Sequence, residues 1–217
     1  MGNSLHILVT AGPTREAIDP VRFISNPSSG KMGYAVAAAA LERGHEVLLV
    51  SGPVPLAPPA GAVPVSVVTA EEMLAAVRDN VGWCDALVMA AAVCDWRPRS
   101  VAEHKLKKSQ MSGTLKLERT PDVLLEIADL KQGRTYVGFA AETRDLEREA
   151  RRKLAEKGLD MIVANDIAAA DSGFGSDTNR AMIMTADAVE EPALLTKTEL
   201  AERIVVWIEQ NTGSDVK

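Results

Sequence analysis

A chain of 217 residues with 47% hydrophobic content is long enough for one sizeable core, and its net charge of −6 without a long basic run argues against general nucleic-acid binding. Cys84 and Cys94 make no CxxC pair and the three histidines are scattered, so no structural metal is expected. The longest apolar runs fall far short of the roughly 18 residues of a membrane span and the N-terminus lacks a signal-peptide pattern, which predicts a reduced, cytoplasmic protein without a membrane partner.

Residues 5–12, LHILVTAG, form an apolar run of the kind buried in a parallel sheet, and 31–44, KMGYAVAAAALERG, carry a helical pattern ending at Gly44. With a strand at 45–53 they make a βαβ unit. After the Pro-rich loop 52–64 the pattern continues with a strand at 63–68, a helix at 69–82 and a strand at 84–93 that is hydrophobic on both faces. Thr69 opens that helix with Glu72 three residues later, the spacing of a capping box. The alternation of TLKLERT, residues 114–120, predicts a half-exposed strand; 121–133 read as helix and 135–143 as strand. A helix at 145–158, strands at 159–166 and 180–187 and a helix at 196–211 complete the chain. These elements predict one α/β domain over 1–217, a Rossmann-like three-layer sandwich whose mostly parallel, twisted sheet has helices on both faces.

Ligands in such folds bind beyond the carboxyl ends of the strands, so the loops there matter most. The first of them is an insertion of about 20 residues where 2 to 6 are usual. It contains neither GxGxxG nor a Walker A loop, and the second strand ends in Ser51, Gly52 and Pro53 rather than in the acid that would hold an NAD ribose. Near its end, SNPSSGKMG places the hydroxyls of Ser28 and Ser29, with Gly30, Lys31 and Met32, at the opening of a helix, where amides and the helix dipole can hold phosphate. Gly12 lies at the start of the same loop. A serine N-cap with a glycine turn is the plainer alternative. Asp95, at a strand end, suits a ribose hydroxyl, a magnesium ion or a simple turn. Lys105, Lys107 and Lys108 form a basic run that more often is a solvated face. Pro121 in TPDV fits a helix start, and Phe139 lies either at the ligand edge or in the core.

In this order along the chain, TAGPTREAIDPVRFISNPSSGKMG, LVSGPV, AAAVCDWRP, KLKKS, TPDV, GFAAET and DMIVANDI resemble the phosphopantothenate-cysteine ligase family. The resemblance implies that 4'-phosphopantothenate and L-cysteine are joined through an acyl-cytidylate, with CTP and magnesium consumed in the bacterial members and CMP and pyrophosphate released. No protein nucleophile is required, which agrees with the lack of GxSxG or an evident Ser-His-Asp set; positioning and charge stabilisation suffice. By position, Asn26 and Lys105 match the family's catalytic pair, with the Asn26 amide donating to the acyl oxygen. Arg22 matches an arginine that reaches the substrate phosphate of a neighbouring subunit. Ala91, Ala92 and Asp95 match a nucleotide-site strand end, and Pro121, Asp122, Val123 and Phe139 match residues bordering cytidine. Lys153 and Lys157 match nucleotide contacts, although a crossover helix should end near the opposite edge of the sheet and pair them with Glu149 or Glu156 instead. The resemblance further implies a homodimer, a flap-like basic insertion at about 97–118, and a flavin-dependent decarboxylase that often precedes the ligase and here would be a separate protein or a domain outside this sequence. Metal ligands stay unassigned. A nucleotide-binding protein without turnover and an NAD(P)-dependent reductase are the alternatives; the second lacks a Tyr-x-x-x-Lys pair, since neither Tyr34 nor Tyr136 has lysine at that spacing.

Overall fold

The apolar N-terminal run becomes strand β1 (His6–Ala11), buried from Ile7 onward because the side chains on both its faces meet packed layers rather than water. The structure, a computed structural model, describes residues 4–108, 113–166 and 176–212. The insertion after β1 folds a small hairpin, β2 (Arg15–Ala17) with β3 (Phe23–Ser25), before helix α1 (Lys31–Glu42). Helix α1 ends as Gly44 predicts: Gly44 has φ +85°, its N–H reaches Leu41 O and the His45 N–H reaches Ala40 O, a Schellman motif. Then follow β4 (Glu46–Ser51), β5 (Val63–Ser66), α2 (Ala70–Asn80), β6 (Ala86–Met89), β7 (Trp96–Pro98), β8 (Leu117–Arg119), α3 (Val123–Glu126), β9 (Thr135–Glu142), α4 (Leu146–Glu156), β10 (Met161–Asp166), β11 (Thr178–Thr185), β12 (Val189–Thr196) and α5 (Lys197–Asn211).

The main sheet runs β12-β11-β10-β9-β6-β1-β4-β5, parallel from β5 through to β10 and antiparallel at β11 and β12. Counted along the chain, its six parallel strands take the order 3-2-1-4-5-6 of doubly wound dinucleotide-binding sheets. The order reverses between β1 and β6, and the carboxyl ends of these two strands open a crevice at that point. Side chains such as Val36, Ala37, Leu200 and Ile204 bury α1 and α5 on one face. On the other, Met73, Val77, Leu124 and Leu154 bury α2, α3 and α4, so the three predicted layers form.

The capping box at α2 is complete: Thr69 Oγ1 accepts the Glu72 N–H at 3.1 Å while Glu72 Oε2 accepts the Thr69 N–H at 3.4 Å. Thr69→Ala is expected to cost about 1 kcal/mol and to lower the thermal midpoint by roughly 2 to 4 °C, read by calorimetry.

Three predicted elements differ. The helix expected at 121–133 stops at Glu126 and gives way to a single 3-10 turn at Ala128–Leu130. The Arg134 guanidinium takes the carbonyls of Gly82, Cys84 and Leu130, and the Lys131 ammonium takes Gly158 O and Asp160, so side chains there tie the segment to neighbouring loops. The strand expected at 114–120 is β8, paired antiparallel with β7 outside the main sheet. The strand expected to run to residue 93 leaves the sheet after Met89, because the backbone beyond it turns to the insertion: Ala91 N–H donates to Thr10 Oγ1, Ala92 N–H to Gly12 O and Cys94 N–H to Thr14 Oγ1. Strand β12 was not expected; Pro192 and the pair Glu190 and Glu191 suit an edge strand but mask its alternation.

Candidate functional site

Three glycines shape the crevice. Gly52 approaches so closely that a Cβ on it would sit 1.9 Å from Pro13 O. Gly12 and Gly30 have φ of +73° and +78°, and the Val54 side chain packs against both, within 2.9 Å and 2.8 Å of where a Cβ would stand. The chain thus fills with its own valine the position where dinucleotide folds bring cofactor phosphate against glycine. Immediately beyond, Gly30 is the N-cap of α1, yet no side chain caps the helix and its first turn holds no acidic residue. Ser28 Oγ accepts only the Gly30 N–H, at 3.4 Å. This replaces the serine N-cap alternative: the leading amides of α1 and the positive end of its dipole have no acidic or capping side chain.

That helix end forms one wall of a cavity of about 790 Å³, within the range of small-molecule sites. Asn26, Ser28, Ser29, Gly30, Lys31 and Met32 line it from the insertion, and Ala91, Ala92 and Asp95 from the loop after β6. Pro121, Asp122 and Val123 close it at the start of α3, Phe139 lines it from β9, and Lys153 and Lys157 reach it from α4. The expectation that the crossover helix would carry these two lysines away from the ligand edge is therefore overturned. Lys153 Nζ lies 2.6 Å from Glu142 at the end of β9, and Lys157 Nζ lies 2.8 Å from Asp122, the N-cap of α3, rather than pairing with Glu149 or Glu156. Long side chains pointing back over the preceding turn bridge the distance that the helix axis alone would leave. Sequence reasoning missed Trp96, Arg119, Asn165, Asn179 and Lys197, which also line the cavity. Among the described residues no group of three or more His, Cys, Asp or Glu is placed to hold a metal ion.

Asn26 sits between the insertion and the β6 loop. Its amide nitrogen donates to Ala92 O at 3.0 Å and Val93 O at 3.2 Å, which uses both N–H bonds and fixes the amide orientation. The expected donation from this amide to a ligand oxygen is corrected accordingly. Oδ1 is the atom left over, and an acceptor calls for a donor on the ligand.

Gly12, Arg22 and Lys105 do not line the cavity. Gly12 is buried beneath the insertion, where its carbonyl holds Ala92 N–H. The Arg22 guanidinium bonds to Asp19 Oδ2 and, at 3.0 Å, to Leu106 O, while Asp19 Oδ2 also accepts the Leu106 N–H at 3.1 Å. Asp19 and Arg22 thereby grip both backbone groups of Leu106 in the basic loop, next to Lys105, which is exposed. The neighbouring residues 109–112 of the predicted flap lie outside the described residues. The Asp19 carboxyl is held well below the usual carboxylate range by the Arg22 guanidinium, which outweighs burial, with help from the N–H groups of Val21, Leu106 and Arg22. A carboxyl depressed in the folded state adds stability that is complete above its unfolded pKa of about 4 and is lost as pH falls below it. In acid unfolding, the stability difference between wild type and Asp19→Asn should be flat near neutrality and shrink below about pH 4. The same variant should speed hydrogen exchange at the Leu106 amide about tenfold or more.

The family model of the DNA/pantothenate metabolism flavoprotein C-terminal domain matches residues 3–212. The chain is 50% identical over 183 residues, 84% of its length, to the coenzyme A biosynthesis bifunctional protein CoaBC of Bacillus subtilis, covering 45% of that protein. It is 46% identical over 216 residues to the same-named protein of Escherichia coli K12, covering 95% of this chain and 53% of the relative. The chain thus spans about half the length of these curated relatives. A crystal structure of the C-terminal domain of CoaBC superposes with a TM-score of 0.81 at 44% identity, covering 95% of this chain and 94% of that one. A Cab2 variant in complex with phosphopantothenate-cysteine shares the fold, with a TM-score of 0.77 at 15% identity over 95% of this chain and 86% of that one.

Proposed function

The chain belongs to the DNA/pantothenate metabolism flavoprotein C-terminal domain family, and on that premise we propose that it is a nucleotide-dependent phosphopantothenate-cysteine ligase of coenzyme A biosynthesis. The observation that carries this reading is the cavity itself: at the switch point of the sheet, one space receives the open N-terminus of α1, Asn26 with a spare acceptor, and the lysines of α4.

The chemistry asks for little more. The carboxylate of 4'-phosphopantothenate attacks the α-phosphorus of CTP, the bond to the β-phosphate breaks and pyrophosphate leaves. The amine of L-cysteine then attacks the acyl carbon, CMP departs and the amide forms with loss of one proton. In this scheme the α1 amides and the Ser28 and Ser29 hydroxyls hold phosphate oxygens, Lys153 and Lys157 balance charge, and Pro121, Asp122, Val123 and Phe139 border the base. The small Ala91 and Ala92 let the loop after β6 approach the nucleotide. Asn26 Oδ1 accepts from the incoming amine and so orients it. Lys105 arrives from outside the cavity on the basic loop that Asp19 and Arg22 grip. Magnesium would travel with the phosphates and neutralise their charge; Asp95, exposed at the cavity wall, is a carboxylate suited to one of its ligand positions.

A homodimer is part of the proposal. Val21 and Phe23 on the insertion and Val101, Leu115 and Leu117 around the basic loop are exposed, an apolar surface next to Arg22 that a second copy would cover. A flavin-dependent decarboxylase is the proposed supplier of the downstream chemistry.

The deciding assay is pyrophosphate release with 4'-phosphopantothenate and magnesium, comparing CTP with ATP, with and without cysteine. CTP-dependent release, with phosphopantothenoylcysteine formed only when cysteine is present, is the expected outcome. No release with either nucleotide from folded protein would leave a nucleotide-binding protein without turnover. A reductase is disfavoured by Val54, which occupies the glycine-lined position a dinucleotide would need.

A further inference from the structure

Helix α5 starts with a lysine that its position does not call for. Lys197 follows the N-cap Thr196, at the helix end where a cation is least welcome, and it is only 8% exposed. Its ammonium donates to Ser176 O at 2.6 Å and to Asn179 Oδ1 at 2.8 Å, with Thr178 O more distant at 3.5 Å. All three are neutral oxygens. The charges that act on it are Lys31, which repels it, and Asp177, which is 2.6 Å from Lys31 Nζ and so shared with that cation. Burial pulls the Lys197 pKa down, Lys31 adds to the shift and Asp177 opposes it. A buried ammonium without a carboxylate of its own is costly unless something else compensates it.

Its neighbours say what that is. Lys197 and Asn179 both line the cavity, beside Lys31, Ser28 and Ser29. The Asn179 amide, 5% exposed, spends one N–H on the sulfur of Met32 at 3.7 Å, a weak acceptor that a charged oxygen would readily replace. Met32 lies in the first turn of α1, whose amides have no side-chain cap. Among the described residues, a buried ammonium, a replaceable amide N–H and a helix end without a side-chain cap thus converge on one end of the cavity, all donors, and the carboxylate that acts on the ammonium, Asp177, is already held by Lys31.

We propose that Lys197, held by Asn179, forms an anion subsite at this end of the cavity that receives the terminal phosphates of the nucleotide and holds the pyrophosphate as it leaves. This assignment rests on the nucleotide-driven reading above. An anion there would compensate the buried charge, and the leaving group's developing charge would meet a cation fixed in place before reaction.

The test is titration calorimetry of wild type, Lys197→Met and Asn179→Asp with CTP, ATP, CMP and pyrophosphate, each with magnesium. Lys197→Met removes the charge at similar volume. Asn179→Asp leaves the ammonium in place but gives it a carboxylate partner, so it stays informative if the first variant does not fold. Both should weaken CTP and pyrophosphate about 10- to 100-fold and leave CMP within about threefold, because CMP lacks the phosphates concerned. If both variants keep the wild-type ratio of CTP to CMP affinity, the subsite is wrong while nucleotide use stands. If wild type binds pyrophosphate but neither CTP nor ATP, and Asn179→Asp abolishes that binding, the nucleotide reading fails and the anion subsite stands.

Discussion

Asn26→Ala is expected to slow amide formation about 100- to 1,000-fold, the usual loss for one positioned polar contact at a reacting centre, while pyrophosphate release falls far less. The asymmetry follows from which atom of the amide is free. Both N–H bonds are committed to the carbonyls of Ala92 and Val93, so Oδ1 is what meets the ligand. An acceptor has nothing to offer the carboxylate and phosphates of the first step, which present acceptors themselves. It does have a partner in the second, the amine of cysteine. Rapid quench with labelled phosphopantothenate should therefore show an acyl-nucleotide building up in the variant. Asn26→Asp separates this from a purely structural part. It would keep an oxygen for the amine but turn a second one toward two carbonyls, and repulsion there would push the β6 loop away from the insertion. Nucleotide binding should then suffer in Asn26→Asp and be spared in Asn26→Ala. If both variants lose pyrophosphate release and amide formation equally, Asn26 is a strut of the loop and not a participant in the second step.

Much of this architecture was legible in the chain. The apolar runs LHILVTAG and HEVLLVSGP, separated by a helix ending in glycine, require a parallel pair, and the observed register of β1 against β4 is that pair. The long insertion after β1 announced where to look, and the residues of SNPSSGKMG, TPDV and GFAAET do meet in one cavity. What resisted reading is set by contacts that no local pattern contains. Beyond the stop of α3 at Glu126, Arg134 and Lys131 bond to residues far along the chain. Lys197 sits in TKTELAER, a stretch that reads as an exposed, capped helix start; only the antiparallel strand β11 laid beside it buries the ammonium. Lys153 and Lys157 looked remote because the helix axis was weighed and the reach of their side chains was not. The Asn26 role follows by position from the family resemblance, whereas the atom that counts is decided by two carbonyls 66 and 67 residues away.

Gly52→Ala should be the most damaging small substitution in the molecule. Its added methyl carbon would lie 1.9 Å from Pro13 O and 2.8 Å from Pro13 C, a clash with backbone that no rotamer change can relieve. Neither segment can retreat. The Gly52 N–H is bonded to Ala11 O at 2.9 Å, and Pro13 is bridged to Ala92, with Ala92 N–H on Gly12 O at 2.8 Å and Thr14 N–H on Ala92 O at 3.2 Å. The strain must pass into the β6 loop, whose Ala92 carbonyl is one of the two that orient Asn26. A loss of about 3 kcal/mol, the upper end for overpacking, is expected, or a drop of roughly 6 to 12 °C in thermal midpoint for a chain of this size. Gly82→Ala is the matched control, since a Cβ there meets nothing within 4 Å and its φ lies outside the left-handed range; it should be neutral or slightly stabilising. Because the displaced carbonyl is Asn26's acceptor, whatever Gly52→Ala protein remains folded at low temperature should also show the Asn26 defect, slow amide formation with acyl-nucleotide accumulating. A Gly52→Ala protein as stable and as active as Gly82→Ala would mean that the crevice does not depend on the close passage of Gly52, just beyond β4, against Pro13.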